Sequence, residues 1–428
     1  MPKTFRPYVP DQMLLLPSSV QDWVPEGDMA HFISDIVDAL DLSEIEAVYE
    51  EEMRGYPPYH PRMMTKLWLY AYAVGIRSCR KLARLATRDV GCMMLAAGNR
   101  PDFRTLNSFR LRHLAALGGL FQQVLLLCRE QGLVKLDHVA VDGTKLKANA
   151  SKHAAMSYDR MQPEVDRITA ELDTWFRECD QTDAEEDAKY GTDNDGYELP
   201  ENLRTAAKRR EAIRKALKDL KERAQAEGKA EPDAKAQQNF TDPESRIMKS
   251  DEGFVQACNG QIAVESEFQL IVGQLVTQAG NDKEQVQPMV QAVEEQSGQL
   301  PTELLADAGY CSDSNLEYLE SEVAPEKQIR AYVATGRQKH SEAPADCPHC
   351  PLPKGATRVD RMRRKLQTKV GAAIYARRKA IVEPVFGQIK QARGFRRFSL
   401  RGLIKVQCEW ALVCLTHSIL KLHRICHA

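Results

Sequence analysis

Five short apolar runs with strand character, at 133–142, 253–264, 268–277, 304–307 and 328–333, alternate with helical stretches. A long polar, helix-rich segment splits the first from the second. Runs this short, dense in Val, Ile and Leu, suit strands buried in a sheet. Strands followed by helices, interrupted once, describe an α/β core that carries an insertion. Two of the runs end on acids: LVKLDHVAVD on Asp142 and LLAD on Asp307. Strand ends of α/β sheets are where such folds expose ligand sites, so both acids are candidates. Turn formation is the rival reading, and Gly143 after Asp142 fits it well. Asp137, Asp242 and Asp282 are further acids that suit caps or turns.

The chain divides accordingly. Residues 1–125 read as an all-helical domain. Residues 130–150 and 239–428 read as the α/β core, and 151–238 as the insertion. Within the first part, a helix is expected from about Met29 to Met53, and another from Pro61 through Trp68, Tyr72 and Ile76. Ser78 suits the cap of a third, Asn99 to Asp102 a turn, and Thr105 the start of a helix holding Leu106, Phe109 and Leu117. Cations at Arg80, Lys81, Arg110 and Arg112 give these short helices the look of a helix-turn-helix unit, although a plain bundle accounts for the packing equally well. In the insertion, Val165, Ile168, Leu172 and Trp175, then Ile213, Leu217, Leu220 and Ala224, repeat at helical spacing, with Pro163 in first-turn position. Two such helices joined by an acidic loop predict an antiparallel hairpin.

Charge is strongly segregated. Residues 177–202 carry ten acids against two bases, whereas residues 358–405 carry 15 Lys and Arg against two acids, Asp360 and Glu383. So cationic a block suits a polyphosphate partner. Glu383 sits inside it, in YARRKAIVEPVFGQIK, and neighbouring cations favour its ionised form. An ionised carboxylate beside phosphate is repulsive unless a divalent cation bridges them. With Asp142 and Asp307 it makes three carboxylates, enough for two Mg²⁺ (or Mn²⁺) ions about 4 Å apart. Pro384 disfavours helical backbone at Glu383, so a helix start or kink is expected there.

Other signals exclude more than they assign. Eleven Cys at irregular spacing read as reduced cytoplasmic thiols, not a secreted disulfide framework. No apolar run reaches about 18 residues, which argues against a membrane span. Cys347 and Cys350 suggest zinc, but no second pair completes a four-ligand site. The Asp193–Gly196 run fails as a calcium loop, because the first and twelfth positions, Gly191 and Asn202, are not carboxylates.

Several segments, specific in combination, carry a resemblance. HPRMMTKLWLYAYAVGIRSCRKLA and PDFRTLNSFRLRH lie in the helical part. VAVDGTKLKANAS, TDPESRIM, LADAGYCS, VEPVFGQIK and RGFRRFSLRG lie in the core. In these the chain resembles DDE-type transposases of bacterial insertion sequences over most of its length. The resemblance implies an RNase H-like mixed sheet core with an all-α N-terminal domain, and divalent metal held by Asp142, Asp307 and Glu383. It also implies that Tyr375, Arg378 and Lys390 accompany the Glu. Arg378 lies five residues before Glu383, where the motif has Arg four before it; Lys379 holds that place, leaving open which cation meets phosphate. Arg393, Arg396 and Arg397 are expected to add backbone-phosphate attraction. The implied activity is cleavage of element ends and their transfer to target, on double-stranded DNA, by a dimer or larger assembly. A structure-specific nuclease of the same fold and a catalytically silent DNA-binding relative remain alternatives.

Overall fold

A computed structural model describes residues 19–50, 57–190, 201–250, 253–320, 328–336 and 355–427. The Cys347/Cys350 pair and the Asp193–Gly196 run lie outside the described residues.

The N-terminal part is helical: α1 (Met29–Ala39), α2 (Ser43–Glu50), α3 (Pro61–Ala73), α4 (Cys79–Leu85), α5 (Val90–Leu95), α6 (Phe103–Arg112) and α7 (Leu114–Glu130). Side-chain caps set most of the starts. Asp28, Ser78 and Asp89 accept the amides of Ala30, Lys81 and Cys92, each satisfying an orphan first-turn N–H. Three expectations shift. The helix foreseen from Met29 breaks at Leu40–Leu42, where the Asp41 carboxylate takes the Ser43 amide at 2.9 Å and Gln123 takes the Asp41 amide at 2.9 Å. α6 starts at Phe103 because Asp102, not Thr105, is its cap; Thr105 donates its hydroxyl to Asp102 at 2.7 Å. Leu117 belongs to α7, which is bent by 68° from α6 after His113.

The remaining elements in chain order are β1 (His138–Lys147), β2 (Ala155–Ser157), α8 (Tyr158–Tyr190), α9 (Glu201–Ala226), β3 (Gln237–Asn239), β4 (Arg246–Ser250), β5 (Gly253–Glu265), β6 (Ile271–Thr277), α10 (Val286–Ser297), β7 (Glu303–Ala306), α11 (Asp313–Leu319), β8 (Arg330–Val333), α12 (Arg358–Gln367), α13 (Lys369–Gly387) and α14 (Leu403–Cys426). The main sheet runs β6-β5-β1-β7-β8, with β4 beside the first residues of β5. β1, β7 and β8 are mutually parallel, and β5 is antiparallel to β1 and to β6. The sheet is therefore mixed and the fold α/β.

The insertion is the expected hairpin. Met161, Val165, Ile168 and Leu172 of α8 pack on Ile213, Ala216, Leu217 and Leu220 of α9 in a core of their own, and the β2–β3 pair closes its neck. α8 starts at Tyr158, so Pro163 lies inside it and not in the first turn.

α14 ties the halves together. It is buried almost throughout from Val406 to Ile419 and belongs to the same apolar cluster as α1, α3, α7 and the sheet. Trp410 explains Gly260: a Cβ there would stand 3.1 Å from the indole, whose N–H donates to the Gln261 carbonyl at 3.1 Å. By length and composition alone α14 is apolar enough to cross a membrane, yet here it is the core helix. Its first amides are met by the TDPE segment: Asp242 accepts from Gly402 and Glu244 from Leu403.

α13 corrects the expectation of a helix start at Pro384, for it runs through that residue. Proline cannot donate to the Ala380 carbonyl, and Gln269 does so instead at 2.9 Å. The chain then widens into a π-helical turn, Gln388–Ala392, a feature common near functional sites.

Candidate active site

Strand register assembles the first two acids. Parallel pairing sets Val141 of β1 against Ala306 of β7, so Asp142 and Asp307 follow side by side. Adjacent strands lie about 4.8 Å apart, which makes them neighbours. Asp142 does not end its strand. β7 stops at Ala306, but β1 continues to Lys147 against β5. Gly143 is thus a strand residue and not a turn former. A Cβ on it would stand 2.2 Å from Gln261 Nε2, so any larger residue would displace that side chain. Asp307 leaves the sheet and caps the turn Ala308–Tyr310, accepting the Gly309 amide at 2.8 Å.

The carboxylate of Asp142 is 21 % exposed. One oxygen accepts its neighbour's amide, from Gly143, at 2.8 Å; the other meets Arg378 Nη1 at 3.3 Å. Burial pushes its carboxyl up to about 6 against the pull of Arg378, and the charges of Asp307 and, more weakly, Asp282 push the same way. Arg378 comes from α13, and its buried Nε has no hydrogen-bond partner. The Tyr375 phenol is in hydrogen-bond contact with the same guanidinium. Tyr375, Arg378 and Asp142 therefore form a chain from helix to strand.

Other expected residues lie farther out. Lys379 is exposed, whereas Arg378 turns inward. Lys390 lies in the π-helical turn with its ammonium 5.6 Å from the Phe386 ring centre. The segment after it runs along the end of β1, with the Lys147 amide donating to Arg396 O and the Phe398 amide to Lys147 O. Arg397 donates to Asn149 at 2.9 Å and Arg396 to Gln391; both are exposed. Arg393 departs from the expected phosphate contact. Its guanidinium donates to Thr416 Oγ1 at 2.7 Å and to Val413 O at 2.9 Å, which makes it a packing group of α14. Glu383 is exposed on α13. Among the described residues no three His, Cys, Asp or Glu side chains are close enough to hold a metal ion, so Glu383 is not gathered with the other two acids.

The donor set suits a hard divalent cation all the same. The charge of Asp307 disfavours that of Asp142, and a cation between them relieves that cost. Arg378, with one nitrogen unpartnered, is the group that offsets it here.

A second cationic surface lies in the helical part. Arg80, Lys81, Arg84, Arg88, Arg100 and Arg104 are exposed, and among the described residues none forms an ion pair. The two acids of this stretch, Asp89 and Asp102, serve as helix caps. The Phe103 ring, 37 % exposed, has the guanidinium groups of Arg80 and Arg104 over it at 5.0 and 5.7 Å.

One feature escaped the sequence reading. Asp282 does not cap α10, whose N-cap Gln285 makes no side-chain bond. It instead meets Lys145, Asn259 and Gln261. Polar Asn259 and Gln261 within the largely apolar, buried stretch of β5 were the available signal, since buried amides need partners.

Residues 18–112 match the family model of the transposase domain (DUF772), which covers α1 to α6. Residues 352–423 match that of the transposase DDE domain, which covers α12, α13 and most of α14 and includes Glu383. Asp142 and Asp307 lie between the two matches. No curated protein and no solved structure matches the chain. The DDE domain implies dependence on a divalent metal, and both families are those of transposases, which act on DNA. The two matches, one towards each end of the chain, support an insertion-sequence DDE transposase.

Proposed function

We propose that this transposase cuts the ends of its own element and joins the resulting 3′-hydroxyls to target DNA, acting in the cytoplasm as a dimer or larger assembly. The observation that carries the reading is the pairing of Asp142 with Asp307 on adjacent parallel strands, beneath Arg378 of the cationic helix. The strand order β6-β5-β1-β7-β8, with β5 antiparallel to the parallel trio, supports an RNase H-like core. Asp142 and Asp307 would hold Mg²⁺ or Mn²⁺, and Glu383 would be the third ligand in the complex with DNA. Two bound ions would supply an activated water or hydroxyl and stabilise the leaving oxygen. Lys379, Lys390, Arg396 and Arg397 meet DNA phosphates beside the acids. The exposed α4–α6 cations hold duplex DNA farther out, with attraction that weakens as salt rises.

The test is incubation with DNA carrying the element's ends, in Mg²⁺ or in EDTA, scoring cut and joined products. Cuts and joins in Mg²⁺ alone are expected. Cuts without joins would favour a structure-specific nuclease, and neither product would favour a silent DNA-binding relative.

A further inference from the structure

Behind the acid pair, against β1 and β5, lies a polar network that the chemistry above does not use. Asp282, in the loop between β6 and α10, receives Lys145 Nζ at 3.1 Å on each oxygen. It also receives Asn259 Nδ2 at 2.7 Å and Gln261 Nε2 at 2.6 Å. The two amides come from the buried stretch of β5, and register sets them opposite Lys145 and Gly143 of β1. Gln261 Oε1 accepts the hydroxyl of Tyr310, which is wholly buried and ends the turn that Asp307 caps. Asp307 Oδ1 and Asp282 Oδ2 lie 3.0 and 3.6 Å from the point a Cβ on Gly309 would occupy, so the two carboxylates flank one glycine.

An acid given three separate donors, in a strand pair that keeps two buried amides and a glycine to admit it, is costly to build. Buried polar networks fix a single arrangement where their groups are paired, and here every member but Asn259 Oδ1 has a partner. The members of this one reach the two segments that carry the acid pair and little else. We propose that Asp282 is a positioning residue for the metal-binding pair: through Lys145 it fixes β1 just beyond Asp142, and through Gln261 and Tyr310 it fixes the turn that begins at Asp307. The inference rests on the reading of Asp142 and Asp307 as metal ligands.

The test is Mn²⁺ titration of the full chain without DNA, following free Mn²⁺ by electron paramagnetic resonance, alongside thermal melting in EDTA. Loss of a partner that orients metal ligands costs about 10- to 100-fold in affinity, and Asp282→Asn is expected to weaken Mn²⁺ binding by that much while the chain stays folded. Gln261→Met, which cuts the Tyr310 link but spares the Asp282–Lys145 pair, is expected to weaken it less. It also serves as the deciding variant should Asp282→Asn not fold. Unchanged Mn²⁺ affinity in a folded Asp282→Asn, or in Gln261→Met in its stead, overturns the inference, because a purely structural role moves the melting point alone. Unchanged affinity in Asp142→Asn would overturn the metal-site reading itself, a separate outcome.

Discussion

Glu265 and Glu409 are buried acids and Asp142 a part-buried one, and their surroundings differ in kind. Glu265, at the β5–β6 turn, takes the amides of Glu267, Phe268 and Leu270 at 2.7 to 2.8 Å. Glu409, in α14, takes those of Ser399 and Leu400 at 2.9 and 3.1 Å. Burial pushes both carboxyls up, and the amides pull them back. Asp142 has one amide, one guanidinium contact at 3.3 Å and a second acid beside it. Amide-satisfied carboxylates hold loops in place. A carboxylate set against a like charge is a site that a cation completes.

The largest expected effect lies at the pair. Asp142→Asn or Asp307→Asn removes a proposed metal ligand, worth several kcal/mol of transition-state stabilisation on that reading, and cleavage should fall on the order of 10³-fold or more. Binding to element ends, measured by gel shift, should change little. Full cleavage by either variant would erase the distinction drawn above.

Glu409→Ala should do the opposite. It orphans two buried amides, and the folded state should lose about 3 kcal/mol in denaturant unfolding. A loss under about 1 kcal/mol would mean that the amides find water, and that the two kinds of acid are not so different.

The third effect is smaller and runs in the other direction. The Asp142 carboxyl is raised in the folded state, so without metal the native chain binds more protons than the unfolded chain between about pH 4 and 6. Stability contributed by this group is therefore present at low pH and lost as pH rises through about 6. In EDTA at pH 7, Asp142→Asn should be more stable than the parent by about 1–2 kcal/mol, and that pH slope should flatten. Destabilisation instead would place Asp142 with Glu409.

The smallest effect separates two arginines of one segment. Arg396→Ala should lower the salt dependence of DNA binding by about one unit of log–log slope. Arg393→Ala should leave the slope alone and lower the melting point, because its guanidinium is bonded to α14.

Five of the six strands of the main sheet and the two strand acids were legible because strand pattern is local: apolar runs ending in Asp mark both their place and their neighbourhood, whereas β4, polar at Arg246, Lys249 and Ser250, carries no such run. The insertion's helices were legible through their repeat of apolar residues. Caps were read less well, since Asp102 and Thr105 compete for one helix start and only geometry decides between them. Asp282 left no local trace, for its partners Lys145, Asn259 and Gln261 lie 137, 23 and 21 residues away. Charge counting could not tell Arg393 from Arg396, because a guanidinium's partners are set by packing. The placement of Glu383 depends on α13 against the sheet, which helical periodicity does not determine.

The most direct measurement is a structure of the protein on element-end DNA with Mn²⁺, its ions located by anomalous scattering. Metal is expected between Asp142 and Asp307, with a Glu383 oxygen among the ligands at about 2.1 Å. Metal bound there while Glu383 still faces solvent, or no metal at the pair in a complex caught cutting, would contradict it.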